Sequence, residues 1–434
     1  MMAKRICGKS LRFIATRRVG TAALILLVAG IVPPRLVRGD DWLQWGGPNG
    51  DFTVDSKGLV EKWPAGGPKQ LWKRPLGEGY SAILYDDGQL FTEYSIGEDT
   101  AFVISLDAQT GATIWEHRYS FKLWPEMDKG FGLGPNATPL IMRDRIVSIS
   151  IDGHVRCLDL ASGKLIWEHD LPAKFGRRKR VEEYGYSASP LPYKNTILVQ
   201  VGGDNHSVVA FDPDQGSIVW TSEPGGVSYA AATITKLAGQ DQYIYFEPEG
   251  VVGLDPLTGR VLWRSEIEFN NGNHLTPIVK CDENHIWVGT QFSAGMLLEI
   301  TRRESAMAAK QVWVGGKLRA SHWTLIRIDD FIYGSIGGNS TSFLAAFEWK
   351  TGKVAWRERG FHKAQSLYAD GKLLFLDEAG QLALAKVSPE GPQILAKAPM
   401  TESVSWTLPT LVSTKLYLRD RKNIMALDLG RAGE

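Results

Sequence analysis

The chain has 434 residues, 44% hydrophobic and 22% charged, an ordinary composition for a folded protein with a large core. Eight of its 49 basic residues and none of its 48 acidic residues fall within the first 39 positions, so the remainder carries 41 basic against 48 acidic residues, a net charge of −7. That sign argues against a nucleic-acid partner.

The opening segment, residues 1–39, is basic and then apolar, with an uncharged run from Thr21 to Val32. Twelve residues are too few to cross a bilayer as a helix and suit the core of an export signal. The protein is therefore expected to be exported, to the periplasm or beyond, with no transmembrane span once the signal is removed. Residues 40–66 form an N-terminal extension rich in Trp and Gly, and residues 67–434 form the repeat region.

The repeat is explicit in LDAQTGATIW ending at Trp115, LDLASGKLIW at Trp167, FDPDQGSIVW at Trp220, LDPLTGRVLW at Trp263 and FEWKTGKVAW at Trp356. Weaker copies end at Trp72, Trp313 and Ile394, and successive anchors lie 38 to 53 residues apart. One repeat of this length corresponds to one four-stranded propeller blade. The apolar stretch before each Asp reads as the third strand, D-x-x-[TS]-G as a tight turn, and the stretch to Trp as the fourth. Gly111, Gly163, Gly216, Gly259 and Gly352 supply the positive φ such a turn requires. Each anchor Trp is expected to wedge between blades, its N–H taking an acceptor from the neighbour.

The first copy opens with a bare fourth strand, Pro68 to Lys73, and the last stops after its third, near Met425 to Asp428. Together they complete one blade. The expected fold is an all-β, eight-bladed β-propeller with four-stranded antiparallel blades, closed by pairing of N- and C-terminal strands. Closure removes the open sheet edges.

Function is less legible. Three cysteines occur: Cys7 leaves with the signal, while Cys157 and Cys281 lie three repeats apart and are expected to stay free. The segments leading into the innermost strands converge on one mouth of the ring. They contribute Tyr80, Asn136, Tyr186, Tyr229, His274, His322, Trp323 and Trp406, aromatic and hydrogen-bonding groups suited to a ligand pocket or to satisfied polar packing of the channel. His274 and His322 come from consecutive repeats, but no third ligand stands at fixed spacing, so no metal site is assigned. Two long inter-blade loops, Phe121 to Gly134 with Trp124 and Ala173 to Gly185 with Arg177, Arg178 and Arg180, are expected at the rim of this mouth. A third enlargement, Met296 to Gln311, is expected to be a long hairpin.

The repeated turn-and-Trp unit resembles that of the pyrroloquinoline-quinone (PQQ) dehydrogenase-like propellers. Asp41-Trp42-Leu43-Gln44-Trp45-Gly46-Gly47-Pro48, followed by Trp63-Pro64, resembles the start of the exported, noncatalytic, BamB-like branch. That resemblance covers residues 41 to 429 and implies a monomeric scaffold binding an envelope protein or peptide, without cofactor. The enzymes of this fold carry an adjacent Cys pair, a Trp platform under the quinone, a Ca²⁺ site and an Asp base. This chain has no Cys-Cys pair, so no catalytic residue is carried over. A PQQ- and Ca²⁺-dependent alcohol or sugar dehydrogenase and a carbohydrate or small-molecule binding module remain the alternatives.

Overall fold

In the computed structural model, the described residues are 41–431 apart from 131, 178–182, 267–277, 291–293, 305 and 339–340. The proposed signal, residues 1–39, therefore lies outside them, as do Cys7, Phe131, Arg178, Arg180 and His274. Eight blades of four antiparallel strands follow one another along the chain, seven formed sequentially and one by the two ends, and the seventh gains a fifth, parallel strand from the extension. In the first blade the strands are Leu84–Asp86, Gln89–Ile96, Thr100–Asp107 and Thr113–Ser120, from the axis outward.

The closing blade takes its outer strand, Lys69–Pro75, from the start of the repeat region and its inner three from Thr410–Val412, Lys415–Arg419 and Asn423–Asp428. Lys69 pairs with Asp428 and Pro75 with Asn423, the closure the repeat phase anticipates. Arg419, fully buried, pins this blade to the next by donating from Nη1 to the carbonyl oxygens of Ser81 and Glu93 and to Thr92 Oγ1.

The turn chemistry is as the residues imply. Asp107 Oδ1 accepts from the Gln109 and Thr110 amides, and Gly111 has φ +73°. The motif is also read between blades. The indole N–H of Trp72 donates to Ala108 O, Trp115 to Leu160 O, Trp167 to Pro213 O, Trp313 to Trp349 O and Trp356 to Ser388 O, each in the turn of the following blade. Trp115, Trp167 and Trp263 are buried, whereas Trp72, Trp220, Trp313 and Trp356 are half-buried, because the outermost strand leaves one edge of the ring in solvent.

Two anchors depart from the pattern. Trp220 Nε1 has no partner among the described residues. Trp263 donates to Gln242 Oε1 of its own blade, because the next blade has no D-x-x-x-G turn; it carries the long hairpin Gly295–Arg303 and Ala306–Gly315 instead. Apolar clusters fill the spaces between blades. One joins Val147 and Ile149 to Ile197, Val199 and Val209 around Trp167.

The N-terminal extension is a structural member of the ring. Trp42 bridges Tyr85 and donates its indole N–H to Leu411 O at 2.8 Å, Leu43 O accepts from the Ile141 amide, and Thr53–Val54 adds in parallel to Tyr368–Ala369. Inner strands of the closing, first, second and seventh blades are thus tied together by one segment that crosses the axis at the end opposite the mouth.

Candidate functional site

The extension also reaches the axis. A cavity of about 380 Å³ is lined by the mouth-side segments together with Trp45 of the extension, and a second chamber of about 240 Å³ shares Trp45 and Ala231 with it. The walls come from the segments leading into the inner strands, where the chain is extended and side chains alternate in direction.

That alternation decides which of the expected residues meet. Tyr80, Asn136, Tyr229, His322 and Trp406 line the cavity together. Trp323 does not: next to His322 in an extended segment, it points the other way and is fully buried in the wall. Tyr186 is also in the wall, edge-on to Trp124 with ring centroids 6.0 Å apart, and packs where a Cβ on Gly153 would be 2.4 Å from its ring. Gly185, at φ +57°, turns the chain there so that Tyr184, two residues earlier, lines the cavity in its place. Trp124 is not among the lining residues; its ring is covered by the Arg177 guanidinium at 4.3 Å, which also pairs with Glu126 at 2.5 Å.

Sequence reasoning passed over Trp45, Tyr184, Lys363 and Gln365. Trp45 precedes the repeats, and its one signal was the W-x-x-W-G-G pattern it shares with Trp42. Lys363 and Gln365 sit where other repeats place Tyr or Trp, so aromatic periodicity did not mark them.

On one side of the cavity Tyr80 and Trp406 pack with centroids 5.3 Å apart and His322 lies 4.7 Å from Trp406. Across the axis Tyr184 and Tyr229 form an edge-to-face pair at 5.0 Å. Gln365, 1% exposed, donates from Nε2 to His322 O and Trp406 O, both at 2.9 Å, while its Oε1 has no partner among the described residues. Lys363 Nζ pairs with Glu378 Oε2 at 2.9 Å, and the Trp406 indole N–H donates to the same oxygen. Burial, reinforced by the Lys363 charge, lowers the His322 pKa to about 4, so the imidazole is neutral. Burial likewise pushes Tyr80 up to about 12.

The donor set does not fit PQQ with Ca²⁺. A hard cation takes several oxygen ligands, carboxylates foremost, and the described lining residues include no carboxylate; among them the quinone's own carboxylates would meet one ammonium, already matched by Glu378. Among the described residues no group of three or more His, Cys, Asp or Glu could hold a metal. Cys157 and Cys281 are free and buried.

A family model described as outer membrane protein assembly factor BamB matches residues 99–335, more than half of the chain. The chain belongs to this BamB family. BamB of Yersinia pestis is 26% identical over 238 residues, covering 50% of this chain and 54% of that one. The quinohemoprotein alcohol dehydrogenase ADH IIB of Pseudomonas putida is 27% identical over 148 residues, covering 32% of this chain and 19% of that one. This chain thus spans about half the length of the BamB protein it matches and a smaller share of the dehydrogenase. Among solved structures, a europium-containing methanol dehydrogenase superposes with a TM-score of 0.65 at 12% identity, covering 88% of this chain and 89% of that one, which shows a shared PQQ-like propeller fold. No helix among the described residues is long and apolar enough to cross a membrane.

Proposed function

We propose that this BamB-family propeller is an exported, noncatalytic binding protein of the cell envelope that holds a ligand in its axial pocket while its blades serve as a scaffold for an envelope protein. The observation that carries this reading is the axial cavity, walled by aromatic rings, Trp45 among them, and by hydrogen-bonding groups whose charged member among the described residues, Lys363, is paired with Glu378. Such a cavity binds and orients. Chemistry on an alcohol would in addition need a base near the reacting atom, and the titratable groups among the described lining residues include a neutral imidazole, the phenols of Tyr80 and Tyr184 held protonated by burial and a lysine paired with Glu378. The family supports an envelope scaffold, since BamB proteins are named for outer-membrane protein assembly. The basic and apolar first 39 residues support export.

The test is a titration of the chain from residue 40 onward with PQQ and Ca²⁺, paired with retention of envelope proteins on the immobilised chain. The expected result is a retained envelope protein and no stoichiometric quinone binding. Micromolar or tighter PQQ binding with turnover of an alcohol or sugar would overturn it.

A further inference from the structure

The chemistry of the pocket narrows its ligand, on the reading that the pocket is a binding site. An anionic ligand requires an unmatched cation. Among the described residues at this mouth, Lys363 is neutralised by Glu378 and Arg421 by Glu78 at 2.8 Å. A wholly apolar ligand would leave buried polar groups of the wall without partners, at a cost of about 1–3 kcal/mol each. Gln365 Oε1 is such a group: it is an acceptor, its residue is 1% exposed, and both protons of its own amide nitrogen are committed to backbone carbonyls. His322 Nε2, also lining the cavity, has no partner among the described residues. A ligand bearing hydroxyl groups, which both donate and accept, matches these two atoms.

The walls add a second requirement. Aromatic faces on opposite sides of the axis, Tyr80 with Trp406 against Tyr184 with Tyr229, suit a ligand that presents flat apolar faces. A pyranose with equatorial hydroxyls meets both demands, because its axial C–H bonds form two apolar faces and its hydroxyls radiate from the edge as donors and acceptors. At about 380 Å³ the cavity is small for a ligand pocket, with room for one or two such rings.

We infer that the axial pocket binds a neutral, β-linked, gluco-configured saccharide, with a ring face against Trp406 and Tyr80 and a hydroxyl donating to Gln365 Oε1. The Lys363 ammonium, with one hydrogen on Glu378, has others to offer a ring or hydroxyl oxygen.

Calorimetric titration with cellobiose tests it, with sorbitol as a control that has the hydroxyls but no ring face and the tripeptide Gly-Trp-Gly as a competing ligand class. Cellobiose is expected to bind saturably in the millimolar range or tighter and sorbitol not to bind. Trp406→Ala should weaken cellobiose at least tenfold and Trp406→Phe restore part of the loss, with unchanged melting of the phenylalanine variant showing that the ring is intact. Absence of cellobiose binding, equal binding of sorbitol, or an unaffected Trp406→Ala variant overturns the inference. If Gly-Trp-Gly alone binds in a Trp406-dependent way, the saccharide falls and the pocket reading stands; if neither ligand binds, both fall.

Discussion

The indole of Trp115 rests on Gly163 of the following blade so closely that a Cβ there would lie 2.4 Å from Cε3 of the ring. The same contact recurs between Trp72 and Gly111, Trp167 and Gly216, Trp220 and Gly259, and Trp313 and Gly352. The glycine therefore answers two demands, a positive φ and a missing side chain. Gly88, at φ +82° with nothing within 4 Å of its virtual Cβ, answers only the first. Gly88→Ala is expected to cost about 1–2 kcal/mol from backbone strain, and Gly163→Ala that amount plus about 1–3 kcal/mol of overpacking. Urea midpoints of the two variants check the difference, and equal costs would refute the contact as the cause.

Ring closure rests on Asn423–Asp428, which pairs on one side with Lys69–Pro75 and on the other with Lys415–Arg419. Deleting residues 423–434 should expose two sheet edges and produce aggregation or a large fall in melting temperature. A truncated chain that melts like its parent would exclude closure as a determinant of stability.

Trp42 is 1% exposed and its indole N–H is bonded to Leu411 O. Trp42→Ala should cost about 3–5 kcal/mol and loosen the extension. Limited trypsin digestion should then cut at Lys57 and Lys62 faster than in the parent, and unchanged cleavage would show that Thr53–Val54 holds the segment alone.

Glu93 is fully buried, with Tyr119 Oη donating to its Oε2 at 2.8 Å, and burial raises its pKa to about 8. A carboxyl that holds its proton longer when folded adds stability below its unfolded pKa, and that stability drains away as pH rises through 8. Denaturant midpoints should fall between pH 5 and 8, and Glu93→Gln, which keeps an acceptor for Tyr119, should flatten the fall. An identical slope in the variant would place the titrating group elsewhere.

His322 tilts the opposite way. Its pKa, lowered to about 4, makes the unfolded chain the better proton acceptor below pH 6.5, so its contribution is present above that pH and is lost as pH falls toward 4. His322→Gln should remove this part of the acid sensitivity, read as the midpoint difference between pH 7 and pH 4.5. Equal acid sensitivity in the variant would count against a buried neutral imidazole.

Blade number, strand order, turn chemistry and closure are all legible in the chain because each is local or periodic: Asp107 caps its own turn, and Trp115 to Trp167 marks one blade whatever lies across the axis. Acceptors for the anchor indoles are legible only in outline, since Trp263 turns to Gln242 once the neighbouring turn is replaced by a hairpin. The pocket obeys a different logic. Tyr80, Asn136, Tyr229, His322 and Trp406 could be listed from the segments that lead into the inner strands, but their neighbours Tyr186 and Trp323 could not be told from them, because one step along an extended chain reverses a side chain and one glycine at positive φ shifts the phase. Trp45 lies outside the repeat altogether and reaches the axis only because Trp42, Leu43 and Thr53 fasten the extension across the inner strands of distant blades. Periodicity in the chain thus determined the ring, whereas convergence of eight blades and one crossing segment on a common axis, which no local pattern encodes, decided what the ring encloses.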